Sequence, residues 1–304
     1  MHSGEVLPIP WRLALHPFKY IAAENIDQVI NLLNEYGERA KLLAGGTDIL
    51  VQTRTGRFDL DALIDLKHLP ETTNLDFGDE GLVLGAAVPC YQIYENPEIA
   101  AAYPGITDAA SLIGGIQIQS RASLGGNLCN ATPSADGICP LIVHYAKANV
   151  VSKDGSRSIP VEDFCTGPGQ NILTKGEFLV SIEVPAPRSG FGSAYERFIP
   201  RNEMDIAVAG VASSVQLNTD GSIESARIAL AAVGPIPILV VAANEFLVGK
   251  QPNDQIFSEA ANLAAEAASP IDDMRGDVQF RRKLVNVLTK RTLSTSLSRA
   301  RSIL

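Results

Sequence analysis

Two short stretches concentrate the residue types that can hold a phosphorylated ligand. The first is Ala44-Gly45-Gly46-Thr47-Asp48; the second runs from Ser123 to Asp136 as SLGGNLCNATPSAD. Each sets a glycine pair beside small hydroxyl or amide side chains. Glycine lets the backbone approach a ligand closely and reach positive φ. A run of exposed N–H groups then forms a concavity for an anion. Thr47, Ser123 and Asn127 can add side-chain hydrogen bonds. Two such loops could clasp a diphosphate from opposite sides. A carboxylate at Asp136 would repel phosphate but suits ribose hydroxyls, as acidic residues do in dinucleotide folds. Together these features suggest a dinucleotide. Neither loop is GxGxxG or GxxxxGK[ST], so the ordinary nucleotide motifs are absent. A Gly-Gly pair taken singly reads more often as a tight turn.

The elements around the loops follow from periodicity. Ile26, Val29, Ile30 and Leu33 share a helical face in a helix over 25–36, capped by Asn25 and stopped by Gly37. Residues 41–45 form a short apolar strand running into the first loop, with a second apolar run over 49–51. Strands are expected over 62–66 and 82–88, and a helix over 105–113 after Pro104. Residues 140–148 are apolar enough for a buried helix. Residues 149–159 resemble a hairpin turning at Asp154-Gly155. A strand over 178–184 ends at Pro185-Ala186-Pro187, the expected domain boundary. Beyond it, strands over 207–217 and 223–232 flank Asn218-Thr219-Asp220-Gly221 as a hairpin. Helices follow over 255–268 and 278–293, the last presenting Phe280, Leu284 and Leu288 on one face. This order predicts an α+β fold with mixed sheets, not one doubly wound sheet.

Composition narrows the chemistry. The chain has 304 residues, 46% of them hydrophobic and 19% charged, enough for a globular core and about two domains. A net charge of −9 argues against phosphate backbones and acidic lipid as partners. No window approaches the length of a membrane span, and residues 1–18 lack the basic and apolar regions of a secretory signal. Cys90, Cys129, Cys139 and Cys165 make no CxxC pattern, and His2, His16, His68 and His144 make no HExxH pair. Iron–sulfur and zinc sites are therefore not expected on this chain. The thiols read as reduced and the location as cytoplasmic. No Ser–His–Asp or paired-carboxylate arrangement suggests hydrolysis.

AGGTDIL after a short strand, followed by IGG-x-Q-x-x-x-RASLGGNLCNATPSAD, resembles the FAD-binding medium subunit of the molybdenum hydroxylases, the family of xanthine dehydrogenase and aerobic carbon monoxide dehydrogenase. The likeness extends through KGEFLVSIEVPAP, YERFIPRNEMDIAVAGVA, ARIALAAVGPIPI and RGDVQFRRKLVNVLTKR. It implies an FAD domain of the vanillyl-alcohol-oxidase type over 1–185, with subdomains 1–60 and 61–185, and a small α+β domain over 186–304. It places Lys41, Leu42, Leu43, Ala44, Gly45, Gly46, Thr47, Asp48 and Ile49 around the pyrophosphate, opposed by Ser123, Gly125, Gly126 and Asn127. Asn130 would lie beside the dinucleotide and Asp136 on its ribose hydroxyls. Ile113 and Gly114 would sit against the cofactor, and Leu179 and Ile206 would line the isoalloxazine. Plain core packing is the competing reading for Leu179 and Ile206. Arg197 would be a cation near the flavin, favouring its reduced anionic form.

The resemblance implies an electron relay with no catalytic side chain of its own, since the redox chemistry belongs to the flavin. Electrons would come from a [2Fe–2S] small subunit, with a molybdopterin-containing large subunit upstream of it, in a heterotrimer or its dimer. They would pass to NAD, a quinone or oxygen. GGTD in place of GGQS tilts the chain from the carbon monoxide branch toward xanthine or aromatic substrates. The absent cysteine-rich insertion argues against a [4Fe–4S] cluster. A self-sufficient FAD oxidase acting on a small substrate is the alternative, and would need an active-site His or Tyr over the flavin. An assembly subunit that has lost its cofactor is a third reading. Residues 274–304 carry eight basic residues against one acid, Asp277. They read either as a docking tail for a partner chain or as cations paired with the body's own acids.

Overall fold

The computed structural model describes residues 17–304. His2, His16 and most of the stretch read for a leader lie outside them. The chain begins as a small parallel sheet. Strands β1 (Lys19–Ala22) and β2 (Ala40–Leu43) flank β3 (Ala62–Asp65). Helix α1 (Ile26–Tyr36) connects β1 to β2. Its cap is the expected one: Asn25 accepts from the Gln28 N–H at 2.8 Å, and Gly37 takes a φ of 56° at the other end. The apolar run 49–51 opens helix α2 (Ile49–Arg54).

A five-stranded antiparallel sheet follows, with spatial order β4 (Leu75–Gly78), β5 (Gly81–Gly85), β10 (Phe178–Pro185), β6 (Lys147–Ser152) and β7 (Gly155–Pro160). Helix α3 (Pro70–Thr73) precedes β4, and between β5 and β6 the chain forms five short helices, α4 (Cys90–Tyr94), α5 (Pro97–Ala102), α6 (Pro104–Ala110), α7 (Leu124–Asn130) and α8 (Ile138–Val143). The expected helix over 140–148 is shorter and starts earlier. Tyr145 adopts a φ of 58°, which ends any helix, and β6 begins at Lys147. The hairpin turn sits one residue earlier than expected, on Lys153-Asp154, because Ser152 pairs with Gly155. Phe178 and Val180 of β10 pack under the parallel sheet with Val29, Ile30 and Ile64, joining the two sheets in one core.

After Pro185 the chain leaves this sheet for another. Strands β11 (Phe191–Phe198), β12 (Ala209–Leu217), β13 (Ile223–Ala231) and β14 (Ile238–Leu239) form an antiparallel sheet in sequence order. One face meets α6 and α8, with Tyr195, Ala212 and Ala229 joining the central core. The other face is covered by α9 (Val241–Leu247), α10 (Asp254–Ala267) and α11 (Val278–Arg301). Across the first contact, the buried His144 donates from Nδ1 to the Pro140 carbonyl at 2.7 Å and faces Ser193 Oγ at 2.9 Å. Burial lowers its pKa to about 4, so it packs as a neutral imidazole.

Helix α11 departs from expectation in its buried face. Phe280 is 40% exposed and stacks edge-on against Phe198, while Val285, Leu288, Thr292, Ser296 and Ala300 face inward. Several basic residues also turn inward. Arg281 pairs with Asp273, Arg282 donates to the Ala268 carbonyl, and Arg299 holds both oxygens of Asp108. Three of the eight basic residues that suggested docking are thus tied to the body, while Arg291, 4.0 Å from Glu196, is exposed.

Candidate cofactor site

The first glycine loop leaves the carboxyl end of β2 and enters α2, the position where open parallel sheets receive ligands. Its two glycines serve different ends. A Cβ on Gly45 would stand 2.0 Å from the Arg121 carbonyl oxygen, so only glycine permits that close packing. Gly46 turns the chain with a φ of 79°. Among the described residues, nothing accepts a hydrogen bond from the amides of Gly45, Gly46, Thr47 or Asp48. The loop's carbonyl side is held by Lys67, whose Nζ donates to Ala44 O at 3.1 Å and to Asp65 at 2.7 Å. Burial pushes Asp65 upward, but the donors Lys67 and Tyr20 outweigh it and hold the carboxyl below its usual range.

The second loop opens α7. Ser123 caps the helix and accepts from the Gly126 N–H at 3.1 Å. Gly125 is pressed against the chain: its Cβ would fall 2.4 Å from the Ala86 carbonyl oxygen. Gly126 instead faces Ala44: a Cβ there would meet Ser123 Oγ at 3.0 Å and stand 3.9 Å from the Ala44 Cβ, so the two loops confront each other. The Gly137 N–H donates to Asn127 Oδ1 at 2.9 Å. Gln52 of α2 donates to Asn130 Oδ1 at 2.9 Å, linking the helices that the loops open. Burial raises the carboxyl of neighbouring Asp48, against hydrogen bonds from Asn130 and Thr47.

Between the loops lies a cavity of about 580 Å³, within the range of small-molecule sites. Lys41, Leu42, Ala44 through Ile49, Ile113, Ser123, Gly125, Gly126, Asn127, Asn130 and Leu179 all line it. The other expected residues stand apart. Leu43 is turned into a small core with Leu60 and Leu63. The Gly114 carbonyl accepts from the Met204 N–H at 3.2 Å. Ile206, in the same 199–208 connection, is 51% exposed. Asp136 lies 6% exposed outside the lining, with Tyr195 donating to Oδ1 at 2.7 Å and Arg197 paired to Oδ2. The ribose-holding oxygens expected of Asp136 are therefore engaged by protein donors. Burial pushes this carboxyl up to about 6, against the pull of Arg197 and Tyr195.

Other lining residues escaped the sequence reading. Gln52, Arg57, Phe58 and a segment from Gly169 to Glu177 complete the wall. Lys41 Nζ lies 4.7 Å from the Phe58 ring centre, and the Arg57 guanidinium 5.4 Å. Arg157, with the Thr174 N–H, draws the Glu177 carboxyl down to about 2. The signal for this wall was the T-G-P-G-Q-N run at 166–171, a bend beside an apolar strand. The cavity holds no reactive thiol, since burial lifts Cys129 to about 12. Among the described residues, no group of three or more His, Cys, Asp or Glu side chains could hold a metal ion.

Known proteins share this arrangement. The family described as "FAD binding domain in molybdopterin dehydrogenase" matches residues 16–187, and "CO dehydrogenase flavoprotein C-terminal domain" matches 193–296. A putative xanthine dehydrogenase FAD-binding subunit of Escherichia coli is 31% identical over 283 residues, covering 92% of this chain and 96% of that protein. The carbon monoxide dehydrogenase medium chain of Hydrogenophaga pseudoflava is 29% identical, covering 93% of this chain and 98% of that one. The solved carbon monoxide dehydrogenase of that organism superposes with a TM-score of 0.89 at 29% identity, over 94% and 99% of the two chains. Quinoline 2-oxidoreductase of Pseudomonas putida gives 0.86 at 27%, over 95% and 99%. Facing glycine loops, a cavity between them and matches along both halves place this chain in one family: it belongs to the FAD-binding subunits of the molybdenum hydroxylases, oxidoreductase flavoproteins of the xanthine and carbon monoxide dehydrogenase type.

Proposed function

We propose that this chain is the electron relay of a multi-subunit molybdenum hydroxylase. It takes electrons from the [2Fe–2S] clusters of a small partner subunit, with a molybdopterin-containing large subunit upstream. It delivers them to an external acceptor such as NAD, a quinone or oxygen. The observation that carries this reading is the pair of glycine loops confronting each other across one cavity, the first with uncommitted amides. Bound FAD supplies the redox chemistry; the protein binds, orients and shields it. The amides of residues 45–48 and the N-terminus of α7 hold the diphosphate. Ser123, Asn127 and Asn130 add polar contacts, and Ile113 and Leu179 give apolar walls. Gly114, Arg197 and Ile206, outside the cavity lining, are assigned to the flavin end on the family resemblance alone, and Asp136 stands behind the second loop. The division into an FAD domain over 1–185 and a C-terminal domain over 186–304 follows the change of sheet after Pro185. Placement in the cytoplasm agrees with four free thiols and with no described helix long and apolar enough to cross a membrane.

Among the described residues, the cavity lining contains no histidine or tyrosine, the groups a self-sufficient oxidase would need. Purification from the native host tests both readings. A flavin spectrum with co-purifying chains carrying iron and molybdenum is expected. Turnover of a small alcohol by the isolated chain would favour the oxidase, and a preparation that stays colourless with FAD and its partner chains would end the relay reading.

A further inference from the structure

Asp136 stands where the nucleotide cleft meets the C-terminal sheet. Its two oxygens are taken by β11, Oδ1 by the Tyr195 hydroxyl and Oδ2 by the Arg197 guanidinium. Tyr195 and Arg197 are two residues apart on a strand, so both project from one face. The next residue, Gly137, donates its N–H to Asn127 Oδ1 at 2.9 Å. Asn127 follows Gly126 in α7, and both line the cavity. A second strap lies close by: the Ala232 N–H donates to the Pro133 carbonyl at 2.7 Å. The Ala232 carbonyl in turn accepts from Arg281 at 3.3 Å. The segment 133–137 is thus tied on one side to the second glycine loop and on the other to the C-terminal sheet. The remaining titratable neighbour, Cys139 of α8, is kept a neutral thiol by burial. A buried carboxylate that loses one donor is left under-paired and takes up a proton more readily. Its hold on β11 then slackens, and the grip of Gly137 on Asn127 with it.

We propose that Tyr195 is a positioning residue for the cofactor: through Asp136 and Gly137 it sets where Asn127 and Gly126 stand, so the C-terminal sheet governs the affinity of a cleft that Tyr195 does not line. The proposal rests on the reading of that cleft as the FAD site. It is tested by titrating FAD into the full-length apoprotein and following flavin fluorescence across pH. The proteins compared are wild type, Tyr195→Phe, Asp136→Asn, the double variant and Ser213→Ala. Ser213 is buried in the same sheet but bonds Ser296 of α11, away from 133–137.

Tyr195→Phe is expected to raise the Kd about tenfold, the scale of one lost hydrogen bond to a charged group. It should also move the acid limb of the affinity profile to higher pH, because the ionised form of Asp136 loses a donor. The double variant should bind within about twofold of Asp136→Asn, since the two side chains act through one bond. Asp136→Asn alone should flatten the acid limb, a second readout should Tyr195→Phe fail to fold. An unchanged Kd and profile in Tyr195→Phe, equal weakening in Ser213→Ala, or full additivity in the double variant would overturn the proposal. Wild-type protein that takes up no FAD would instead bring down the underlying reading and the proposal together.

Discussion

The two glycine loops are alike in composition and opposite in support. The loop at 44–48 is fastened within its own sheet, by Lys67 and Asp65 at the end of the adjacent strand. The loop at 123–127 is fastened through Asn127 to Gly137, and from there to strands that appear sixty residues later or more. In each pair, one glycine is pressed against backbone and the other serves the cavity. Gly45 and Gly125 let the loop seat on Arg121 and Ala86, whereas Gly46 turns the chain and Gly126 leaves room opposite Ala44. Similar sequence patterns can therefore fail in different ways.

The sharpest contrast comes from Gly126→Val. An isopropyl group there fills the gap toward Ala44, so FAD retention should be abolished while circular dichroism and the cooperative melt persist. Wild-type flavin content in that variant would mean the second loop is misassigned. Gly45→Ala should do the reverse and act first on folding. Its new methyl meets a backbone carbonyl, costing about 1–3 kcal/mol in a urea titration. Lys67→Met removes the partner of a buried carboxylate and frees the Ala44 carbonyl. It should lower stability by about 1–3 kcal/mol, the cost of a buried acceptor left unsatisfied, and weaken FAD binding, with the second loop untouched; equal FAD affinity would show that the first loop needs no such anchor. The smallest effect is on pH. The depressed Glu177 carboxyl contributes stability that is full above its ordinary value near 4.5 and is lost as pH falls toward about 2. Arg157→Gln should flatten that acid limb in thermal melts taken from pH 6 to pH 2.

What the sequence disclosed follows the same division. Backbone-dictated features were legible: the Asn25 cap, the glycine loops, the hairpin at 207–232, and the change of architecture after Pro185. Those rest on local preferences that neighbours in sequence express. Side-chain engagement across long separations was not legible. Lys67 looks like any surface lysine until Ala44 is seen above it. Asp136 reads as a free acceptor until β11 is folded against it. The face of α11 was legible in part: Leu288 is buried and Leu284 packs against the core, but Phe280 is not, and the buried side also includes Arg281, Thr289, Thr292 and Ser296, which a hydrophobic pattern assigns to water. The expected hairpin at 149–159 came within one residue: the turn is Lys153-Asp154, and Gly155 takes its φ of 121° as the first residue of the returning strand.

Arg299, in the last helical turns, reaches back to hold Asp108 and the Ser193 carbonyl. During synthesis, N-terminal regions tend to fold first. On this topology the earlier half emerges with Asp108 and Asp136 still waiting for partners not yet translated. The second loop therefore gains its support only once β11 has been made, so the cleft matures later than the segments that line it.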